Sequence, residues 1–133
     1  MIKEIFEKKK ETFEKSLSKL RDYLKYPKDD EVARSAQVKA FELAAESFWK
    51  MMKVFLLTEK GLEVRSPKDV MRECHNTDIF SEEEKIIGIH IIEGRNLLAH
   101  IYEEKLAEEV SEKIPEYAKF MEKILERIQE NLN

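Results

Sequence analysis

An all-α domain is what this sequence predicts, and three observations predict it. Apolar residues return every three or four positions over long segments, the spacing of one helix face. Only three glycines and three prolines punctuate 133 residues. No stretch alternates apolar and polar residues at strand length, so strands are not expected. The expected architecture is an antiparallel up-and-down four-helix bundle with one extra short helix, in a single domain over residues 1–133.

Each element has its own signal. Ile2, Ile5, Phe6, Phe13, Leu17, Leu20 and Leu24 keep to one side of a first helix. It should stop before Pro27, whose ring disfavours helical geometry in the preceding residue. The short turn over 26–30 returns the chain antiparallel. A second helix runs from about Glu31 to Lys60 with Gly61 as terminator, and its inner stripe is Phe41, Ala44, Ala45, Phe48, Trp49, Met52, Phe55 and Leu56. Ser66-Pro67 opens the short helix, Ser as cap and Pro in the first turn, with Val70, Met71 and Cys74 inward. Ser81-Glu82-Glu83-Glu84 has capping-box spacing and starts a fourth helix through Ile86, Ile87, Ile89, Ile91 and Ile92. The last helix shows Leu106, Val110, Ile114, Tyr117, Met121, Ile124, Ile128 and Leu132 in period. Pro115 should kink it without ending it.

Composition bounds the function. With 24 Lys+Arg against 28 Asp+Glu the formal charge is −4, the wrong sign for a general nucleic-acid coat or a membrane-surface binder. Charged residues reach 39%, against roughly 25% in ordinary proteins. Hydrophobics at 42% still provide for a core. One cysteine excludes an internal disulfide and a cysteine metal cage. The N-terminal segment has no apolar h-region, and the apolar run at 86–92 is too short to span a bilayer. The cytoplasm is the expected compartment, and no cofactor, metal, DNA or membrane association is expected.

None of the three histidines has Glu three residues before it, so the Glu-x-x-His pairs of di-iron bundles are missing. There is no H-E-x-x-H, no phosphate-binding glycine loop and no G-x-S-x-G elbow. What remains is Arg95-Asn96-Leu97-Leu98-Ala99-His100-Ile101-Tyr102. It follows Gly88 and Gly94, helix-interior glycines that each cost about 1 kcal/mol relative to Ala. Close backbone approach or a bend would account for them. Five residues of regular helix turn by roughly 140°. If Arg95 and His100 act on one group, the helix should therefore end or distort between them.

The set suits a phosphodiester. Arg95 offers a permanent planar charge to a phosphorane-like transition state. His100 can take or give a proton near neutral pH. Asn96 could orient the imidazole or a phosphate oxygen. No metal is needed if a ribose 2′-hydroxyl is the nucleophile. The plainer alternative is an Arg and a His capping helix ends, with Tyr102 packed by its ring.

The segment resembles the R-x-x-x-x-H-x-Y motif of HEPN domains. The wider chain resembles HEPN proteins of the nucleotidyltransferase substrate-binding type. That likeness runs through Phe41-Glu42-Leu43-Ala44, Ser66-Pro67-Lys68-Asp69-Val70 and Ile114-Pro115-Glu116-Tyr117. Gly94 stands where relatives commonly place a bulkier polar residue. The resemblance implies a homodimer with two motifs at or near the shared interface. It also implies a partner encoded nearby, a minimal nucleotidyltransferase (MNT). Many HEPN domains are metal-independent endoribonucleases, often toxins, in which the residues matching Arg95 and His100 carry catalysis. Others are read as the non-catalytic module that binds substrate for the transferase. In HEPN–MNT toxin–antitoxin pairs the transferase is thought to silence the toxin by adding AMP to the motif tyrosine, here Tyr102. The chain lacks the Gly-Ser and paired Asp of a transferase site. The expected function is thus an RNA-cleaving HEPN toxin, and the alternative a substrate-binding subunit.

Arg65, Lys68, Arg72 and His75 recur at three, four and three residues, a basic stripe that could hold RNA phosphate or a nucleotide tail. Its alternative is a solvated face paired with Asp69 and Glu73. Glu46–Lys50 has the spacing of an ordinary surface pair. His90, among isoleucines, reads as buried or at an interface. Cys74 reads as buried and inert.

Overall fold

The computed structural model describes residues 1–27, 29–100 and 104–132, without the side chains of His100, Glu104, Leu106, Ala107 and Leu132. Five helices follow in order: α1 (Ile2–Tyr23), α2 (Glu31–Lys60), α3 (Pro67–Asn76), α4 (Glu82–His100) and α5 (Glu104–Leu132). Among the described residues there is no strand.

The ends are fixed by side chains the sequence announces. Gly61 closes α2 in the left-handed conformation at φ 66°, and Leu62 N–H donates back to the Leu56 carbonyl. Ser66 Oγ accepts from Asp69 N–H at 3.3 Å to start α3. The capping box at α4 is reciprocal, with Glu84 N–H donating to Ser81 Oγ and Ser81 N–H to Glu84 Oε1. Two further devices join them. Asp30 caps α2 by accepting from Val32 and Ala33 N–H. The buried amide of Gln37 donates to the carbonyls of Tyr23 and Tyr26, satisfying orphan acceptors where α1 ends.

Helix α2 packs against each of the other four. Phe6 meets Phe55 and Phe13 meets Phe48 across α1 and α2, so those helices run in opposite directions. Arg21 meets Glu122 and Glu14 meets Gln129, so α1 and α5 also run in opposite directions. Phe48 and Phe80 both reach Phe120, which joins α2, the α3–α4 turn and α5 in one core. Pro115 lies inside α5 without ending it. Cys74 is fully buried, and burial, with the Glu73 charge, pushes its thiol up to about 12, so it stays protonated.

Several inward assignments are corrected. Ile2 and Ile5 are half exposed. Phe6 already faces Phe55, so Ile2, one turn earlier, stands opposite the last turn of α2, where cover runs out. Trp49 is only partly buried, at the edge of the core. Ile86 is exposed, because Gly88, Ile91 and Ile92 form the inward face of α4. His90 lies on the outward face too, so of its two readings the buried one is set aside.

The glycines of α4 mark close approach. A Cβ on Gly88 would stand 2.6 Å from Met71 Sδ, and one on Gly94 would stand 3.2 Å from Val110 Cγ1. Ahead of them, Glu84 is nearly buried. Arg127 meets it in bidentate fashion at 2.8 Å twice and also donates to the Ile79 carbonyl. Lys123 adds a contact at 3.0 Å. The Arg127 hydrogen bonds, aided by Ser81 N–H and Lys123 against the opposing effect of burial, draw the Glu84 carboxyl down to about 2.

Two outcomes follow from this packing. A depressed carboxyl stabilises the fold fully above its unfolded value near 4.5 and loses that contribution as pH falls toward 2. Glu84→Gln should therefore cost about 2–3 kcal/mol at neutral pH. In urea denaturation from pH 7 to pH 2, its deficit against wild type should close only on the acid side, and a deficit constant with pH contradicts the assignment. Gly88→Ala gains about 1 kcal/mol of helix propensity, but crowding buried Met71 costs about 1–3 kcal/mol. It should destabilise wild type yet stabilise Met71→Ala, a sign reversal that thermal melts of the four proteins in the cycle will read.

Candidate functional site

The polar centre of the motif forms where the second half of α4 crosses α2. Gly94 lets α4 settle against Val110 and Tyr117 of α5, and Tyr117 stacks on Phe41 of α2. That seat places Arg95 beside Glu46. Arg95 Nη2 lies 2.9 Å from Glu46 Oε2, and Arg95 Nη1 donates to Asn96 Oδ1 at 3.2 Å. The same Glu46 Oε2 accepts from Trp49 Nε1 at 3.1 Å, while Oε1 faces Lys50 Nζ at 3.3 Å.

The two charges are partly open to water. A third of the Arg95 side chain is exposed and slightly less of Glu46. Burial pushes the Glu46 carboxyl up, but hydrogen bonds from Trp49 and Lys50 and the charge of Arg95 outweigh it and hold the group below its ordinary value. It is a carboxylate at neutral pH. Chemically, the arrangement is an oriented guanidinium with further N–H donors in its plane, next to an exposed carboxamide.

The motif's other members are placed less fully. Helix α4 continues unbroken from Arg95 to His100, so the end or distortion that a shared group would require within one chain is not present. Positions 95 and 100 lie roughly 140° apart around the axis. The His100 side chain and all of Tyr102 lie outside the described residues.

The basic stripe is divided among partners. Arg65 is exposed ahead of α3. Lys68 reaches Glu93 of α4 at 3.4 Å, and Arg72 pairs with Asp69 at 2.7 Å. His75 lies between the Phe80 carbonyl and Glu82, while Glu73 takes Asn76 rather than a basic residue. A groove of about 260 Å³ between α1 and α2 adjoins the site, lined by Lys9, Thr12, Ser16, Leu43, Glu46 and Lys50 among others. Among the described residues no three His, Cys, Asp or Glu side chains converge as metal ligands would, and no helix is long and apolar enough to cross a membrane.

Glu46 is the site residue that sequence reasoning missed. Its spacing to Lys50 gave a sufficient local explanation, and that pair does form. The only further signal was Trp49, three residues on, whose indole N–H needs an acceptor at a partly buried position.

Comparison with known proteins fits this architecture. A Thermus thermophilus protein of known crystal structure superposes with a TM-score of 0.81 at 33% identity, over 86% of this chain and 97% of that one. No curated protein matches at a significant level. The family model described as nucleotidyltransferase substrate binding protein-like matches residues 8–130, nearly the whole of the five-helix fold and all of its polar centre. The chain belongs to the nucleotidyltransferase substrate binding protein-like family.

Proposed function

We propose that this protein is the HEPN component of a two-gene HEPN–MNT module, a metal-independent endoribonuclease acting as a homodimer of antiparallel four-helix bundles in the cytoplasm. The observation that carries the reading is Arg95: a guanidinium oriented by Glu46 and Asn96, partly open to solvent, on the helix with the R-x-x-x-x-H-x-Y spacing. In that role Arg95 binds the scissile phosphate and offsets the charge that grows in the transition state. His100 moves a proton between the ribose 2′-hydroxyl, the leaving 5′-oxygen and water. Asn96 orients one of the two, and in this chain its carboxamide oxygen accepts from Arg95.

The unbroken helix suggests how the two meet. Residues roughly 140° apart on one helix serve one phosphate poorly, whereas a two-fold axis can bring Arg95 of one protomer to His100 of its partner. The stripe of Arg65, Lys68 and Arg72 would extend the RNA path. A cognate nucleotidyltransferase would silence the site by adding AMP to Tyr102.

One observation favours a second reading, a non-catalytic substrate-binding subunit of that transferase. Glu46 already balances the Arg95 charge, which suits a docking surface as well as a catalytic one, and the family's description carries that name.

Incubating purified protein with RNA in EDTA separates the two. The endoribonuclease reading expects cleavage with 2′,3′-cyclic phosphate ends, and a loss of about 10²-fold or more in both Arg95→Ala and His100→Ala. Cleavage that needs added metal, or that survives His100→Ala unaltered, removes the mechanism. No cleavage, with co-purification of a small nucleotidyltransferase, establishes the second reading.

A further inference from the structure

Among the polar groups of α2, Glu46 alone ties that helix to the motif among the described residues, and it is held from three sides. Trp49 Nε1 and Arg95 Nη2 converge on one oxygen, at 3.1 and 2.9 Å, and Lys50 Nζ faces the other at 3.3 Å. Trp49 is the only tryptophan in the chain, and it is packed against the core. Its indole N–H thus anchors the carboxylate to the rigid part of the molecule. Arg95, in contrast, has a long flexible stem. Its other contact is Asn96, the next residue of its own helix, which moves with it and cannot fix it against the bundle.

We propose that Glu46 is the positioning residue for Arg95. It holds the guanidinium plane against α2 so that the N–H groups not directed at Glu46 or Asn96 face outward toward a phosphate oxygen. The role rests on the reading of Arg95 as the group that meets the scissile phosphate. The carboxylate lowers the net charge a phosphate meets, and what it contributes is orientation. A guanidinium fixed before the substrate arrives loses little side-chain entropy on binding and needs no rearrangement as charge develops. Glu46→Ala should therefore act on the chemical step more than on binding.

The test uses the full chain as Glu46→Ala, Glu46→Gln and Glu46→Asp, with Glu42→Ala as the control that removes the same charge one turn earlier on α2. Melting temperatures establish that each variant is folded. The first readout is NMR relaxation of the Arg95 Nε–H, assigned through Arg95→Lys. It should report a restricted side chain in wild type, Glu42→Ala and Glu46→Gln, and an averaged, mobile one in Glu46→Ala. The second is RNA cleavage. Glu46→Ala should lower kcat about tenfold with KM moved less than about threefold, and Glu46→Gln, whose amide oxygen can still accept, should recover most of the loss. If Glu46→Ala does not fold, Glu46→Asp decides, because it draws the charge back by one methylene and should loosen Arg95 with a several-fold loss in kcat. An Arg95 equally restricted without the carboxylate, or a change confined to KM, overturns the proposal. If wild type cleaves no RNA, the endoribonuclease reading fails while the Arg95 relaxation still decides whether Glu46 holds the guanidinium.

Discussion

Helix α4 lies close against its neighbours at two glycines, and the polar pairs of the site are made by the helix seated there. Gly88 leaves room for Met71 and Phe80, and Gly94 for Val110 and Tyr117. Each glycine gives up about 1 kcal/mol of helix propensity. The same helix makes two ion pairs across helices: Glu84 of α4 meets Arg127 of α5, and Arg95 of α4 meets Glu46 of α2. A Cβ at 94 would need Val110 to give by a few tenths of an ångström.

These two ion pairs have opposite characters. Glu84 is nearly buried and saturated by Arg127, Lys123 and Ser81 N–H. Such a pair adds stability only while complete, and removing one partner strands a buried charge. Its place at the start of α4, next to the α3–α4 turn, makes it an anchor. Glu46 and Arg95 keep close to a third of their side-chain surface in solvent, so that pair contributes little to stability and retains donors for a ligand. The first pair fixes the helix, and the second uses the helix to present a charge.

What the sequence disclosed follows from the range of the interactions. Local devices were legible: Gly61 as terminator, Ser66 as cap, the Ser81–Glu84 box and the buried thiol of Cys74 all involve residues within four positions or one apolar face. The glycines of α4 were legible as close approach or a bend, because a residue so costly in a helix calls for a cause, and the structure shows the former. Apolar periodicity failed at element ends and on the outward side of α4, since it reports a face and not where the covering helix stops. That is why Ile2, Ile5 and Ile86 were assigned inward. Long-range polar pairs left no trace, for nothing in the spacing links Glu46 with Arg95 or Glu84 with Arg127. The motif itself was legible as residue types at a spacing, but not as a geometry: the unbroken helix separates positions 95 and 100 and directs attention to a second protomer.

The most direct measurement is therefore complementation between two inactive chains. Arg95→Ala and His100→Ala proteins, each without ribonuclease activity alone, would be unfolded together, refolded as a mixture and assayed on RNA in EDTA. If Arg95 of one protomer works with His100 of its partner, half of the dimers are mixed and each has one intact site of two, so about a quarter of wild-type activity should return. A mixture as inactive as its parents would contradict a site shared between protomers.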